Sequence, residues 1–175
     1  PGEILRARGD IPEGVVAVRV AGKVVDFHTP IDETADFELV QASEPDGLRV
    51  IRHSSAHVMA DAVQRLFPGT QVTIGPAIDD GFYYDFDRPT GPFSDEELRT
   101  IEAEMAKIVK GKSRFRREIV SRDEAIARFS AMGEKYKVEI IKGIPEDEEL
   151  SFYVHGEKGQ EWIDFCEGPH VPSTR

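Results

Sequence analysis

The sequence predicts an α+β fold: a domain with a mixed or antiparallel sheet and packed helices, preceded by a small β-rich segment. Two observations carry this prediction. Strand-like and helix-like stretches are interspersed along the 175 residues without the regular strand–helix–strand rhythm of a parallel sheet. Two Ser-x-x-Glu runs, Ser94 to Glu97 and Ser121 to Glu124, mark helix starts in the body of the chain, whereas residues 1 to 42 carry strand and turn signals only.

In chain order, Val15 to Val20 reads as a strand, Ala21-Gly22-Lys23 as a tight turn and Val24 to Phe27 as the partner strand. Phe37 to Val40 gives another short strand, and the polar patch Ser43-Glu44-Pro45-Asp46-Gly47 reads as a linker. Val50, Ile51, Ser55, Val58, Ala62, Val63 and Leu66 then recur at helical spacing until Pro68-Gly69 ends the helix. Val72 to Ile74 and Gly81 to Phe86 are expected as two strands around the turn Asp79-Asp80-Gly81. The helix opened at Ser94 should run to Gly111, and the one opened at Ser121 to Gly133, with Phe115 to Val120 as a strand between them. Val138 to Ile141, Ser151 to His155 and Glu161 to Phe165 are expected as further short strands. No internal repeat or low-complexity segment is present.

Composition narrows the function. A hydrophobic fraction of 39% supports a real core, and charged residues at 31% point to a water-soluble chain. No apolar run reaches the roughly 18 residues of a membrane span, and no basic-then-apolar leader argues for secretion. The single cysteine excludes an internal disulfide and fits a reducing cytosol. A net charge of −11 argues against nucleic-acid binding through a broad basic surface, though not against an RNA end presented by another domain. The chain starts at Pro1 and stops five residues past His170, which suggests a piece of something longer.

The chemistry gathers in two places. His53 and His57 lie four apart on the predicted helix, so their imidazoles stack one turn above the other beside the small Ala56 and Ala60. Far downstream, Cys166 and His170 flank Gly168 and Pro169, a loop whose backbone can approach a ligand closely. His53, His57, Cys166 and His170 make either a tetrahedral zinc set or a metal-free polar cleft, and spacing alone leaves both open. Asp164, two before Cys166, can orient a histidine or accept a hydroxyl proton, or be a surface carboxylate. Lys137 can hold a water or a developing oxyanion; a solvated lysine is the commoner fate. Of Tyr83 and Tyr84, alternation puts one in the core. Lys107, Lys110, Lys112, Arg114, Arg116 and Arg117 form a local basic cluster that suits either phosphates or a solvated helix end.

Taken together, Arg52-His53-Ser54-Ser55-Ala56-His57, Ile74-Gly75-Pro76, Asp80 to Asp85, Tyr136-Lys137 and Asp164 to His170 closely resemble the amino-terminal region of bacterial-type threonyl-tRNA synthetases. The order and spacing hold from about residue 48 to the end. Related histidine and cysteine motifs occur in alanyl-tRNA synthetase editing domains, but Gly81 to Asp85 and Gly168 to Pro172 favour the threonyl branch. The resemblance implies a partial TGS-like (ubiquitin-like) β-rich domain at 1–42 without its first strand, a linker at 43–47, and the editing (second additional) domain at 48–175.

The function so implied is hydrolysis of serine wrongly esterified to threonine tRNA, in the cytoplasm, without the aminoacylation core. His53, His57, Lys137, Asp164, Cys166 and His170 would line the hydrolytic cleft, with Lys137 and His53 positioning and activating water. Tyr84 and Tyr83, with Gly168 and Pro169, would meet the tRNA end. The threonyl branch implies no catalytic metal and no cofactor; a zinc-dependent alanyl-type editor would use His53, His57, Cys166 and His170 as ligands. A third reading is a non-catalytic tRNA-binding module. The implied partners are the seryl-bearing 3′ end of tRNA(Thr) and the catalytic and anticodon-binding domains of a full synthetase, itself a homodimer, with no membrane. Glu167 stands where many relatives carry a basic residue, which bears on contact with the tRNA end.

Overall fold

The computed structural model describes residues 1–3, 5, 11–32 and 35–175; the expected 1–42 segment thus lies partly outside the described residues. The architecture is α+β, as the sequence predicts, with small antiparallel sheets packed on helices. Among the described residues, no helix is long and apolar enough to cross a membrane.

The chain first forms β1 (Val15–Val20), β2 (Lys23–Val25) and β3 (Phe37–Gln41), an antiparallel sheet in the order β2-β1-β3. Val20 pairs with Lys23, so Ala21 and Gly22 form a two-residue loop, both with positive φ, which matches the twist of the flanking strands. Helix α1 (Pro45–Leu66) follows directly. It starts inside the expected linker because Pro45 is preorganised for the first helical turn and Asp46 suits its positive end. The sheet and helix are tightly joined. Ala17, Val40 and Val50 share one apolar cluster, and Arg19 on β1 bonds Asp46 at 2.9 Å. A Cβ on Gly47 would overlap the Gln41 carbonyl oxygen. Gly47→Ala is therefore expected to cost about 1–3 kcal/mol of stability by overpacking. Urea unfolding checks this; an unchanged midpoint would mean that this junction is loose.

After Pro68-Gly69 the two expected strands are instead four two-residue strands: β4 (Gln71–Val72), β5 (Ala77–Ile78), β6 (Gly81–Phe82) and β7 (Phe86–Asp87). β4 pairs with β7 and β5 with β6, antiparallel in both cases. Gly75 and Pro76 interrupt the ladder on one arm, proline because it has no N–H to donate. Backbone bonds Thr73 N to Asp85 O and Asp85 N to Ile74 O keep the arms together.

Helix α2 (Asp95–Lys110) opens with a complete capping box between Ser94 and Glu97. It packs on α1 through a cluster containing Val58, Ala62, Val63, Ile101, Ile108 and Phe115. Strand β8 (Arg116–Val120) leads to α3 (Arg122–Met132), whose N-cap Ser121 accepts from Glu124 N and whose end is Gly133 in the left-handed conformation. The expected strand at Val138 to Ile141 is a helix, α4 (Lys135–Gly143). Its β-branched run suggests a strand, but Lys137 and Ile141, four apart, are its buried residues, and that spacing is helical.

Strands β9 (Leu150–His155) and β10 (Trp162–Phe165) complete an antiparallel sheet in the order β10-β9-β8. Every residue of β9 is buried, so both its faces are covered. Leu150, Phe152 and Val154 join Ala125, Phe129 and Ile141 on the α3/α4 side. Alternation turns Tyr153 and His155 to the opposite side, towards α1; there His155 Nε2 lies 3.1 Å from Asp61 Oδ2. In β10 the same alternation sends Trp162 and Asp164 to that side. His155, Trp162 and Asp164 therefore lie between the central helix and one face of this sheet.

Candidate active site

The helix face of α1 and the segment after β10 meet as the sequence suggests. His53, His57, Cys166 and His170 come together, with one ligand-type atom from each within 4.8 Å of all the others. The His53 and His57 rings are edge-to-face at 5.1 Å, and His170 sits against both, at 4.3 and 4.2 Å between centroids. Phe115 stacks nearly parallel on His170 at 4.9 Å.

Proton positions in this cluster follow from its hydrogen bonds. Ser54 Oγ donates its one proton to Val50 O at 3.0 Å, the usual back-bond of a helical serine. Its lone pairs accept from Val171 N and from His170 Nδ1, each at 3.0 Å, so the His170 proton resides on Nδ1. His170 Nε2 is then an acceptor, 3.1 Å from Cys166 Sγ, and the thiol donates to it. Burial, then the charge of Asp164, pushes the Cys166 thiol well above its ordinary value. Burial holds His57 and His170 well below theirs, so both are neutral near pH 7. With its Nδ1 proton donated to Ser54, His170 presents Nε2 to the cluster, and an ion bound there would replace the Cys166–His170 bond and take up the thiol as thiolate. As it stands the donor set is a hydrogen-bonded cluster, and its four ligand-type atoms lie close enough together to hold an ion. His57 Nδ1 is buried with no hydrogen-bond partner among the described residues.

Beneath lies a second, charged layer. Lys137 from α4 and Asp164 from β10 are 3% and 2% exposed and form an ion pair at 2.5 Å. Tyr84 donates its hydroxyl proton to Asp164 Oδ2 at 2.7 Å and accepts from Lys137 Nζ at 3.1 Å. Asp164 Oδ1 also accepts from Phe165 N, and Oδ2 lies 3.4 Å from His57 Nε2. Burial, then Asp164, raises the Tyr84 hydroxyl pKa far above the ordinary range, so Tyr84 remains a donor. Its ring rests against Gly75, where any Cβ would overlap it.

An open cleft of about 480 Å³ lies at the His53 and Cys166 side of the histidine cluster, lined by His53, Arg49, Val24, Pro76, Cys166 and the Glu167–Pro169 loop, among others. His53 is only half-buried and lines the opening beside Pro169. Burial lowers its pKa, with the Pro169 backbone and Asp164 opposing. Gly168 has φ +74°, and a Cβ there would overlap the Tyr153 hydroxyl, so glycine suits the loop for two reasons.

The sequence-predicted residues therefore separate into three places. His53, Cys166, Gly168 and Pro169 line the cleft; His57 and His170 lie under it; Lys137, Asp164 and Tyr84 form the buried layer. Tyr83 is 47% exposed and stands apart from these layers. In the basic cluster, Lys107 pairs with Glu104, Arg116 with Glu161 and Arg117 with Glu149, which neutralises half of it locally. Sequence reasoning missed Ser54, Tyr153, Asp26, Asp61, His155 and Trp162. Ser54 left a signal, a hydroxyl among apolar residues on the inner helix face. The others depend on long-range packing.

No family model matches the chain. Curated relatives do match, over nearly its whole length. It is 49% identical over 182 residues to a threonine--tRNA ligase of Carboxydothermus hydrogenoformans, covering 94% of this chain and 28% of the relative. It is 53% identical over 165 residues to the threonine--tRNA ligase of Thiobacillus denitrificans, covering 94% of the chain and 25% of the relative. Against that of Acidithiobacillus ferrooxidans it is 50% identical over 172 residues, covering 98% of the chain and 26% of the relative. The chain thus spans about a quarter of the length of the curated relatives it matches, and the resemblance to part of threonyl-tRNA synthetases holds.

Proposed function

We propose, from the homology of this chain to a quarter-length part of threonine--tRNA ligases, that it is their hydrolytic editing part and removes serine wrongly esterified to tRNA(Thr). The need is physical. Serine lacks one methyl of threonine, and a synthetic site discriminates a single methyl or methylene by only about 1–3 kcal/mol. A smaller substrate enters any site built for the larger one, so a second, hydrolytic site has to remove the error.

The observation that carries this reading is the half-buried, depressed-pKa His53 on the wall of an open cleft, with a buried Lys137–Asp164–Tyr84 network behind His57. An imidazole that is neutral at pH 7 and reaches the opening can take a proton from water as it attacks an ester carbonyl. Lys137 and Asp164, fixed by each other and by Tyr84, set a buried dipole that stabilises developing charge without reorganising. His57, His170 and Cys166, all neutral, shape the pocket for the seryl group and the terminal ribose. The ribose hydroxyl beside the ester can share the proton traffic. The cleft falls within the range of about 300–1,000 Å³ typical of small-ligand sites, enough for a terminal aminoacyl nucleoside.

In this reading hydrolysis proceeds without a metal or other cofactor. The supporting observation is that both His170 ring nitrogens are hydrogen-bonded within the protein. The partner is the 3′ end of tRNA(Thr), with the remaining domains of the synthetase presenting it in the cytoplasm. Deacylation of seryl-tRNA(Thr) after exhaustive chelation is the test. Retained activity is expected. Loss on chelation with recovery on adding zinc would establish the zinc-dependent editor instead, and tRNA binding without hydrolysis would establish the non-catalytic module.

A further inference from the structure

The small β sheet of residues 15–41, with the turn after β2, reaches the surroundings of His170 through two connections, one buried and one partly exposed. Asp26, 1% exposed, directly follows β2. Its two carboxylate oxygens are divided. Oδ1 accepts from His28 N and Thr29 N at 2.9 Å each and from Thr29 Oγ1 at 3.1 Å, which closes the local turn. Oδ2 is left for one partner far along the chain, the Tyr153 hydroxyl of β9. The Tyr153 ring lies 4.5 Å from the His170 ring, and its hydroxyl occupies the space beside Gly168. The loop it supports runs on to Pro169, which lines the cleft with His53, and the His53 ring lies 4.3 Å from the His170 ring. The second connection is shorter: His28 Nε2 donates to Phe115 O at 2.7 Å, and the Phe115 ring stacks on His170.

We propose that Asp26 is a positioning residue for the hydrolytic cleft, acting through Tyr153 to set the Gly168–His170 loop and hence His53. The β sheet is then a working wall of the site. This rests on the editing reading of the cleft. The chemistry suits the task. A buried carboxylate satisfied by four hydrogen bonds is rigid, and a charge-assisted bond to a phenol is among the stronger and more directional kinds. Burial, then Asp26, raises the Tyr153 pKa far above its ordinary value, so the hydroxyl stays a donor across the working pH range. A hydrolytic base misplaced by about 1 Å can lose about 100-fold in rate. The loop therefore needs such an anchor.

The division of labour between the two oxygens makes the test clean. Asp26→Asn keeps the turn-closing Oδ1 and replaces only the oxygen facing Tyr153. Tyr153→Phe removes only the hydroxyl and keeps the ring under His170. Single-turnover hydrolysis of seryl-tRNA(Thr) by the whole chain is measured for wild type, each single variant and the double. Each single variant is expected to lower the maximal rate by about 10- to 100-fold with KM near wild type, and the double to be no slower than the slower single. Rates within about twofold of wild type in both singles, or additive losses in the double, would overturn the proposal. A merely structural role would lower the melting temperature and leave the rate of the folded fraction unchanged, which also overturns it. The His170 imidazole nitrogen resonances give a readout that needs no activity. They should move in Tyr153→Phe and likewise in Asp26→Asn. If wild type hydrolyses nothing, the editing reading fails, while these resonances still decide whether Asp26 sets His170.

Discussion

Lys137→Met is expected to abolish seryl-ester hydrolysis and to cost about 3–5 kcal/mol of stability, because it leaves the Asp164 carboxylate buried and unpaired. The size follows from the burial of both partners, at 3% and 2% exposure, where solvent cannot screen the lost charge. A surface ion pair would cost under about 1 kcal/mol. Combining Lys137→Met with Asp164→Leu should restore much of the stability, since an apolar pair can replace a buried ion pair at little cost. It should not restore hydrolysis, because the buried charge pair behind His57 is gone. Urea unfolding and deacylation measured on the same preparations separate the two effects. Wild-type stability in Lys137→Met would show that the pair is not the buried anchor described above.

His53→Ala is expected to slow hydrolysis by about 10²- to 10⁴-fold, the range for a lost general base, with little change in stability. His53 is only half-buried and lines the cleft opening, so its removal leaves no buried charge. The pH dependence carries the more specific signature. Burial lowers the folded pKa below the ordinary 6.5, so the imidazole is charged, and useless as a base, only in more acidic solution. The wild-type rate should therefore rise with pH along a limb lying below 6.5 and be level through neutrality. In His53→Ala that limb should disappear. A limb centred above 6.5, or one that survives the substitution, would assign the base elsewhere.

Much of this arrangement is legible in the sequence because it is written in local rules. Ser94 and Glu97 form their reciprocal cap, Gly133 ends its helix in the left-handed conformation, and the Ala21-Gly22 turn closes the hairpin. The two halves of the site, His53 with His57 and Cys166 with His170, are visible because helical spacing and a Gly-Pro loop each fix a geometry. What failed was also local. Val138-Glu139-Ile140-Ile141 looks like a strand because its apolar β-branched residues favour pleated surfaces. Packing on Phe152 and Phe129 overrode that preference and made it a helix. The interrupted arms around Gly75 and Pro76 gave short paired segments where two longer strands were expected.

The deeper part of the site was hidden for a different reason. Asp26 and Tyr153 are separated by 127 positions, and His155 and Asp61 by 94, so no window of sequence contains either pair. Trp162 donates from its indole to Gln64 across 98 positions, behind His57, and is equally invisible locally. The spacing that suggested zinc was real, and the four side chains do meet. Their neighbours shape them further: Ser54 fixes the His170 tautomer, and burial, then Asp164, raises the Cys166 thiol pKa. A list of ligand types contains neither fact.

The central claim is that this cleft hydrolyses the smaller, wrong ester and spares the right one. It is tested most directly by the rates at which the chain deacylates seryl-tRNA(Thr) and threonyl-tRNA(Thr) side by side. Rapid loss of the seryl ester is expected, with a threonyl ester that decays at its uncatalysed rate. Equal loss of both, or no acceleration of either, would contradict the claim.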